Sequence, residues 1–114
     1  MDGVTLVTEY YRTIDEDEYG SLTELLSAGF VHQRPDRTIE GRDEFVTFMQ
    51  RGRPERETTH DVGSVYVESG GGKIAAEGRL LDDAEQEWFR FVDTFELAGS
   101  RIETVQTYTD ADPE

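Results

Sequence analysis

The chain begins with hydrophobic residues at helical spacing and ends with hydrophobic residues in alternation, which predicts helices followed by strands. The apolar side of a first helix is formed by Val4, Val7, Tyr11 and Ile14, with Tyr10 beside them, and this helix ends near the acidic run 15–18. A second helix should follow, with Asp17 as its N-cap and Gly29 at its end. A third spans 41–50, where Gly52 is placed to terminate it.

Strands account for the rest of the pattern. A short strand at 30–32 breaks at Pro35, and from residue 58 onward the hydrophobic period becomes two. The later strands are predicted at 58–68, 73–81, 87–97 and 101–109, with a tight Ser-Gly-Gly-Gly hairpin at 69–72 and a frayed tail at 110–114. These elements predict one α+β domain over 1–114, in which three N-terminal helices pack on a curved antiparallel or mixed sheet and enclose a cone-shaped cavity.

The charge composition indicates the environment in which the protein works more than it indicates the fold. The net charge is -15, with 26 acidic residues spread along the chain, and Lys73 is the sole lysine among 11 basic residues. This composition is typical of proteins from a high-salt cytoplasm, where ions screen the repulsion between carboxylates; an ordinary acidic mesophilic protein is the alternative. We expect the melting temperature to rise strongly between low salt and molar KCl, and a flat profile would contradict the halophilic interpretation.

The same charge argues against nucleic acid and anionic membranes as partners, since phosphate binding needs clustered basic residues. Arg51, Arg53 and Arg56 form the one basic cluster, and the acidic residues among them favour a solvated loop. The chain has no cysteine and no apolar run long enough to cross a bilayer, which fits a cytoplasmic protein. We find no phosphate loop, nucleophile elbow or dinucleotide motif, so no cofactor is predicted.

One acid falls on the wrong face of a predicted strand. Alternation places Asp93 on the same face as Phe91 and Phe95, where an ionised carboxylate is costly unless partners surround it. Asp93 is therefore either the acid of a pocket, with a pKa raised by burial, or a structural carboxylate bound to a neighbouring tyrosine, arginine or backbone amide.

The order of elements and three phrases resemble the nuclear transport factor 2-like superfamily, and within it the SnoaL-like polyketide cyclases. The phrases are 39–42 (Ile-Glu-Gly-Arg), 92–97 (Val-Asp-Thr-Phe-Glu-Leu), and Gly99, Arg101, Ile102 and Tyr108 after them. Steroid delta-isomerase, in the same superfamily, is a known case of pKa tuning. By comparison with it, Asp93 matches the oxyanion-site acid, Tyr11 or Tyr10 the helix-one tyrosine, and His32 stands where that enzyme has a catalytic aspartate.

Function is predicted from these positions. In the first hypothesis a hydrophobic carbonyl or hydroxyl compound enters the cavity, His32 moves a proton, and Asp93 with Tyr11 stabilises the oxyanion, as an isomerase, dehydratase or cyclase requires. The alternative is a non-catalytic ligand-binding or dimeric accessory domain. Residues predicted to bind the ligand are Tyr10, Phe30, Phe45, Phe48, Met49, His60, Phe91, Gln106 and Tyr108. Trp88 and Arg90, on the outward sheet face, are expected to form a homodimer interface.

Each histidine also has an alternative interpretation. His32 can be a satisfied strand residue, and His60 can face either the cavity or its rim. A divalent site would need His32, His60 and Asp93 to converge, and the chain lacks close ligand spacing, so no metal is predicted.

Overall fold

The computed structural model describes residues 1–53 and 57–110. The helices are α1 (Gly3–Asp15), α2 (Tyr19–Leu25) and α3 (Arg42–Thr47), and α3 continues as a π-helical turn over Phe48–Gly52. The strands are β1 (Leu26–Gln33), β2 (Thr38–Glu40), β3 (Thr59–Val67), β4 (Lys73–Leu81), β5 (Glu87–Ala98) and β6 (Arg101–Thr109). Arg56 of the basic cluster and residues 111–114 of the predicted tail lie outside the described residues.

The strands form one mixed sheet in the order β2-β1-β6-β5-β4-β3. Strands β3 to β6 make the predicted antiparallel meander, while β1 lies parallel to β6. Helix α1 packs against β3 and β4, and α3 packs against β1 and β2. The α+β prediction, with three helices on a mixed sheet, is therefore confirmed; its cone shape stays a prediction.

The apolar side of α1 explains why the helix forms and where it binds. Asp2 caps its first turn by accepting a hydrogen bond from the backbone N–H of Thr5 at 2.8 Å. Four hydrophobic side chains at helical spacing are nearly inaccessible to solvent and form part of the core: Leu6, Val7, Tyr10 and Ile14. Phe30, Phe45 and Phe95 are completely buried beside them, and burying each stabilises the fold by about 2–3 kcal/mol.

The second helix is shorter than predicted. It ends at Leu25, and Leu26 already belongs to β1, so Gly29 lies inside a strand instead of terminating a helix. The N-cap is Glu18, without a side-chain cap, so the prediction of Asp17 as the cap is wrong. Asp17 has a positive φ of 56° and accepts a hydrogen bond from the Tyr19 hydroxyl at 2.7 Å. A short apolar run fits the hydrophobic spacing of a helix and that of a strand equally well. The sequence pattern therefore does not locate the boundary between α2 and β1.

The third helix ends at Gly52, in close contact with the ring of Phe48. A Cβ at Gly52 would approach the ring of Phe48 to 2.8 Å, so a larger residue there would force the ring to move. Gly52 does terminate the element, as predicted, but the last turn is π-helical, over Phe48–Gly52. None of the helices in the described ranges is long and apolar enough to span a membrane.

A bulge in β6 reverses the predicted facing of its second half. Phe95 pairs with Val105 and Leu97 with Ile102, so four residues of β6 oppose three of β5. After this extra residue the inward positions are Val105 and Thr107, both buried. Alternation from Ile102 had placed Gln106 and Tyr108 inward. That prediction is wrong, because β6 contains this one extra residue, and Tyr108 is 51% exposed.

Candidate functional site

A cavity of about 630 Å³ opens between α1, the end of α3 and the inner face of the sheet. This size suits a small organic molecule. Its wall carries an aromatic and aliphatic part, a buried polar part and a charged mouth. The lining includes Tyr10, Ile14, His32, Phe48, Met49, Thr58, His60, Leu80, Trp88, Phe89, Phe91, Asp93 and Thr107, with Arg34, Asp36, Arg37, Arg53, Glu87 and Asp110 as the charged residues.

Asp93 is buried in the cavity wall with both carboxylate oxygens occupied. The hydroxyl of Tyr11 donates to Oδ2 at 2.7 Å, and that of Thr107 donates to Oδ1 at 2.5 Å. The register explains the meeting with Thr107, since Asp93 and Thr107 are direct cross-strand partners, while Ala76 on the other side leaves room. These two donors stabilise an acid that the apolar surroundings would otherwise destabilise.

Thr107 also links Asp93 to His32, whose Nε2 lies 2.9 Å from the Thr107 hydroxyl. One hydroxyl has one proton, and here it is donated to Asp93, so the hydrogen between Thr107 and His32 belongs to Nε2. His32 is therefore in the tautomer whose Nδ1 is a bare acceptor. That nitrogen is buried and has no hydrogen-bond partner in the described part of the chain. We call the connected set Tyr11, Asp93, Thr107 and His32 the polar chain.

Burial sets the protonation of this polar chain. It raises the pKa of Asp93, although the hydrogen bonds from Thr107 and Tyr11 oppose the rise. Burial, aided by the charge of Arg34, lowers the pKa of His32 to about 3, so the imidazole is neutral near pH 7. The pKa of Tyr11 is raised by burial and by the neighbouring carboxylate, which keeps its hydroxyl protonated as a donor.

Tyr10 offers the cavity a free donor. The residue is 3% exposed, and its ring packs edge-on against Tyr11 and Phe95. Its hydroxyl bonds to none of the other described residues, and it is not among their sealed polar atoms. Burial, with the charge of Asp93, raises the pKa of Tyr10 well above its ordinary value, so the hydroxyl keeps its proton. A ligand oxygen in the cavity can accept from it.

His60 lies at the end of the cavity near the C-terminus of α1. Its ring Nδ1 is 2.7 Å from Oδ1 of Asp15, and its backbone N–H donates to Oδ2 of the same carboxylate at 2.9 Å. The ring also contacts those of Tyr11 and Phe91, with centroids 4.9 and 5.6 Å apart. His60 lines the cavity and also lines a smaller pocket of about 240 Å³ beside α1.

Comparison with known proteins agrees with this architecture. Residues 7–105 match the sequence profile of the SnoaL-like domain, which is most of the chain. The chain belongs to the SnoaL-like domain family. No curated protein matches its sequence.

Solved structures share the fold of this SnoaL-like domain at low identity. A proposed ketosteroid isomerase from Kribbella flavida has a TM-score of 0.79 at 18% identity, covering 96% of this chain and 78% of that one. A proposed SnoaL-like polyketide cyclase from Jannaschia sp. CCS1 gives 0.76 at 19%, covering 94% and 84%. An NTF2-like protein of unknown function from Cytophaga hutchinsonii gives 0.78 at 15%, covering 92% and 87%. The predicted SnoaL-like family is thus confirmed by the sequence profile, and the chain shares the fold of an NTF2-like protein.

The structure brings most of the predicted site residues of this SnoaL-like domain to the cavity. They are His32, Asp93, Tyr10, Phe48, Met49, His60 and Phe91. Tyr11 reaches the site through Asp93 and lines the smaller pocket instead. Phe30 and Phe45 are completely buried in the core and do not line the cavity, so predicting them as ligand contacts is wrong: their rings pack on each other, 4.8 Å apart. Gln106 and Tyr108 are also absent from its lining.

Thr107 and Asp15 are the site residues that sequence reasoning missed. Thr107 could have been found as the cross-strand partner of Asp93, but only with the bulge in β6 placed correctly. Asp15 stood in an acidic run at a helix end, and nothing in the sequence distinguished it from its neighbours. Arg53, expected in a solvated loop, is largely buried and donates to the Met49 carbonyl at 2.8 Å.

Trp88 borders the same cavity as Asp93. Leu80 pairs with Phe89 and Leu81 with Glu87, so Trp88 is the extra residue of a bulge, which removes it from simple alternation. Arg90, in contrast, is well exposed beyond the bulge. A homodimer through the outward face stays a prediction.

Metal ligands do not converge at this site. Among the residues that the structure describes, no three His, Cys, Asp or Glu side chains are grouped so that they could hold an ion.

Proposed function

We propose that this SnoaL-like domain binds a hydrophobic small molecule through a carbonyl or hydroxyl oxygen and moves a proton on it, as an isomerase, dehydratase or cyclase does. The observation that carries the proposal is the hydroxyl of Tyr10 in the lining of a cavity of about 630 Å³: it has no hydrogen-bond partner among residues 1–53 and 57–110, and it is not one of their sealed polar atoms. A buried donor without a partner costs free energy, about 1–3 kcal/mol, unless a ligand or water accepts its hydrogen bond.

The polar chain supports the same assignment. It holds a carboxylate and an imidazole in an apolar wall. Burying these two groups costs free energy that a wall of hydrophobic side chains would not require. Tyr10 packs against Tyr11, which belongs to the polar chain, with ring centroids 5.3 Å apart. Negative charge that develops on a ligand oxygen at Tyr10 is therefore met by a donor whose position is fixed by packing, and preorganised donors of this kind accelerate reactions that form oxyanions.

The assignment of roles differs from a direct transfer of the isomerase pattern. Both oxygens of Asp93 are already used by Tyr11 and Thr107, so Asp93 acts as a positioning residue for the wall. The hydroxyl of Tyr11 is used by Asp93, whereas that of Tyr10 has no partner in the described part of the chain. The aliphatic and aromatic lining selects an apolar body, and the charged mouth stays in water.

Binding of 2-naphthol, a rigid two-ring phenol, tests the proposal. Calorimetry should show one saturable site, and Tyr10→Phe should weaken binding about tenfold, since one lost hydrogen bond costs about 1.4 kcal/mol. Tyr66→Phe is the matched control because Tyr66 is 56% exposed on β3 and does not line the cavity, and it should leave the affinity unchanged.

Two results would count against the proposal. One is the absence of saturable binding to the folded wild-type protein. The other is an equal loss of affinity in both tyrosine variants, which would place the probe on the exposed surface of the sheet.

A further inference from the structure

We infer that His60, oriented by Asp15, is the proton acceptor of the cavity. This inference rests on the proposed function and assigns its base to a residue other than His32. The two histidines differ in which ring nitrogen has no hydrogen-bond partner among the described residues: Nδ1 in His32 and Nε2 in His60.

The carboxylate of Asp15 fixes His60 at two points. A carboxylate only accepts hydrogen bonds, so the hydrogen between Asp15 and the ring belongs to Nδ1, at 2.7 Å. The second bond, from the backbone N–H of His60 at 2.9 Å, prevents the carboxylate from turning away. In the neutral imidazole the lone pair is then on Nε2, which is the form a general base requires.

That lone pair is available. Nε2 of His60 makes no hydrogen bond within residues 1–53 and 57–110, and it is not one of the sealed polar atoms there. The ring is held by Tyr11 and Phe91, and Phe91 lines the same cavity. The imidazole of His60 lies beside the cavity and the carboxylate of Asp15 orients it. This is the arrangement in which a further group holds a base in position for a substrate.

His32 is less suited to this step. Its Nε2 is used by Thr107, and its Nδ1 is sealed inside the wall. A ligand can reach that nitrogen only if the wall moves. His32 therefore belongs to the support of the cavity, and His60 to its reactive end.

The chemical step follows from these positions. A proton on carbon or oxygen of the ligand passes to Nε2 of His60, and its electron pair shifts toward the ligand oxygen, where Tyr10 donates a hydrogen bond. The resulting imidazolium is stabilised by its contact with the side chain of Asp15 at 2.7 Å. The proton then returns to another atom of the ligand, so the net reaction is an isomerisation, or an elimination where a hydroxyl leaves as water. The substrate class is an enolisable carbonyl compound with an apolar body.

The reagent 5-nitrobenzisoxazole tests the base without knowledge of the natural substrate. A base removes its ring C–H proton, the C–H electron pair forms the nitrile, and the N–O bond breaks to release a coloured phenolate. Wild-type protein should accelerate this opening beyond free imidazole at equal concentration. His60→Gln should reduce kcat at least about 100-fold, the usual contribution of a general base. Glu77→Gln, on a strand residue outside the cavity lining, should match the wild type.

A further pair of variants separates chemistry from folding. His60→Gly leaves a space for imidazole, so added imidazole should restore part of the rate, which a merely structural role for His60 would not produce. Asp15→Asn should lower kcat about tenfold at constant KM, and ¹⁵N spectra should show that His60 loses its single Nδ1–H tautomer.

Failure of the inference is distinguishable from failure of the proposed function. Turnover by His60→Gln within about threefold of wild type would overturn the inference, since a lost general base costs far more than that. A wild type that binds 2-naphthol but opens the reagent no faster than imidazole would also overturn it, while leaving the ligand site intact. Absence of naphthol binding would instead remove the proposed function.

Discussion

Thr107→Val should lower the free energy of unfolding by about 3–5 kcal/mol, because it removes the one group that joins Asp93 to His32. Valine has nearly the shape of threonine, so the core stays filled. Oδ1 of Asp93 loses its donor and Nε2 of His32 loses its acceptor, and each buried polar group without a partner costs about 1–3 kcal/mol, or more if charged. Urea denaturation in molar KCl measures the effect.

Two controls make this result specific to the polar chain. Thr94→Val places the same change on the other face of β5, at a residue whose hydroxyl has no hydrogen bond in the described structure, and it should be close to neutral. Thr107→Ser keeps the hydroxyl and should recover most of the stability. If Thr107→Val proved as stable as Thr94→Val, the polar chain would not support the fold.

Acid should destabilise the protein through His32. The pKa of His32 is about 3 in the folded state, against an ordinary value of 6.5 for a solvated imidazole, so the folded state holds the ring neutral. The stability that depends on this neutral form is complete above pH 6.5 and is lost as the pH falls through 3. The fall in the pKa of His32 from 6.5 to about 3 corresponds to about 5 kcal/mol of stability in total, of which about 3 kcal/mol is lost by pH 4.

A comparison of variants isolates that contribution. The stability of wild type relative to His32→Gln should fall by about 3 kcal/mol between pH 7.5 and pH 4, measured by urea denaturation at constant KCl concentration. Asp93 acts in the opposite sense, since its raised pKa removes stability as the pH rises, but wild type and His32→Gln both contain it. Parallel profiles for wild type and His32→Gln would contradict a buried, neutral His32.

The sequence predicted correctly which side chains face inward wherever one hydrophobic period extended through a whole element. Alternation in β5 placed Phe91, Asp93 and Phe95 inward, and all three are buried there. The helical spacing of α1 identified the face that carries Tyr10 and Tyr11. Both patterns arise from one buried side facing one exposed side, so burial alone specifies them.

Prediction failed where strands depart from regular pairing. The extra residue in β6 turned Gln106 and Tyr108 away from the cavity and brought Thr107 in. The bulge at Trp88 had the same kind of effect on β5. A bulge is decided by the register of two strands together, and the sequence of one strand does not contain that information. The pairing of Asp15 with His60 joins residues 45 apart and depends on how α1 meets β3.

The crystal structure of the protein with 2-naphthol tests the central claim most directly. The account predicts the naphthol rings in the cavity against Phe91, with the oxygen within hydrogen-bond distance of the Tyr10 hydroxyl. A naphthol bound on the outward face of the sheet, or one in the cavity with its oxygen turned away from Tyr10, would contradict it.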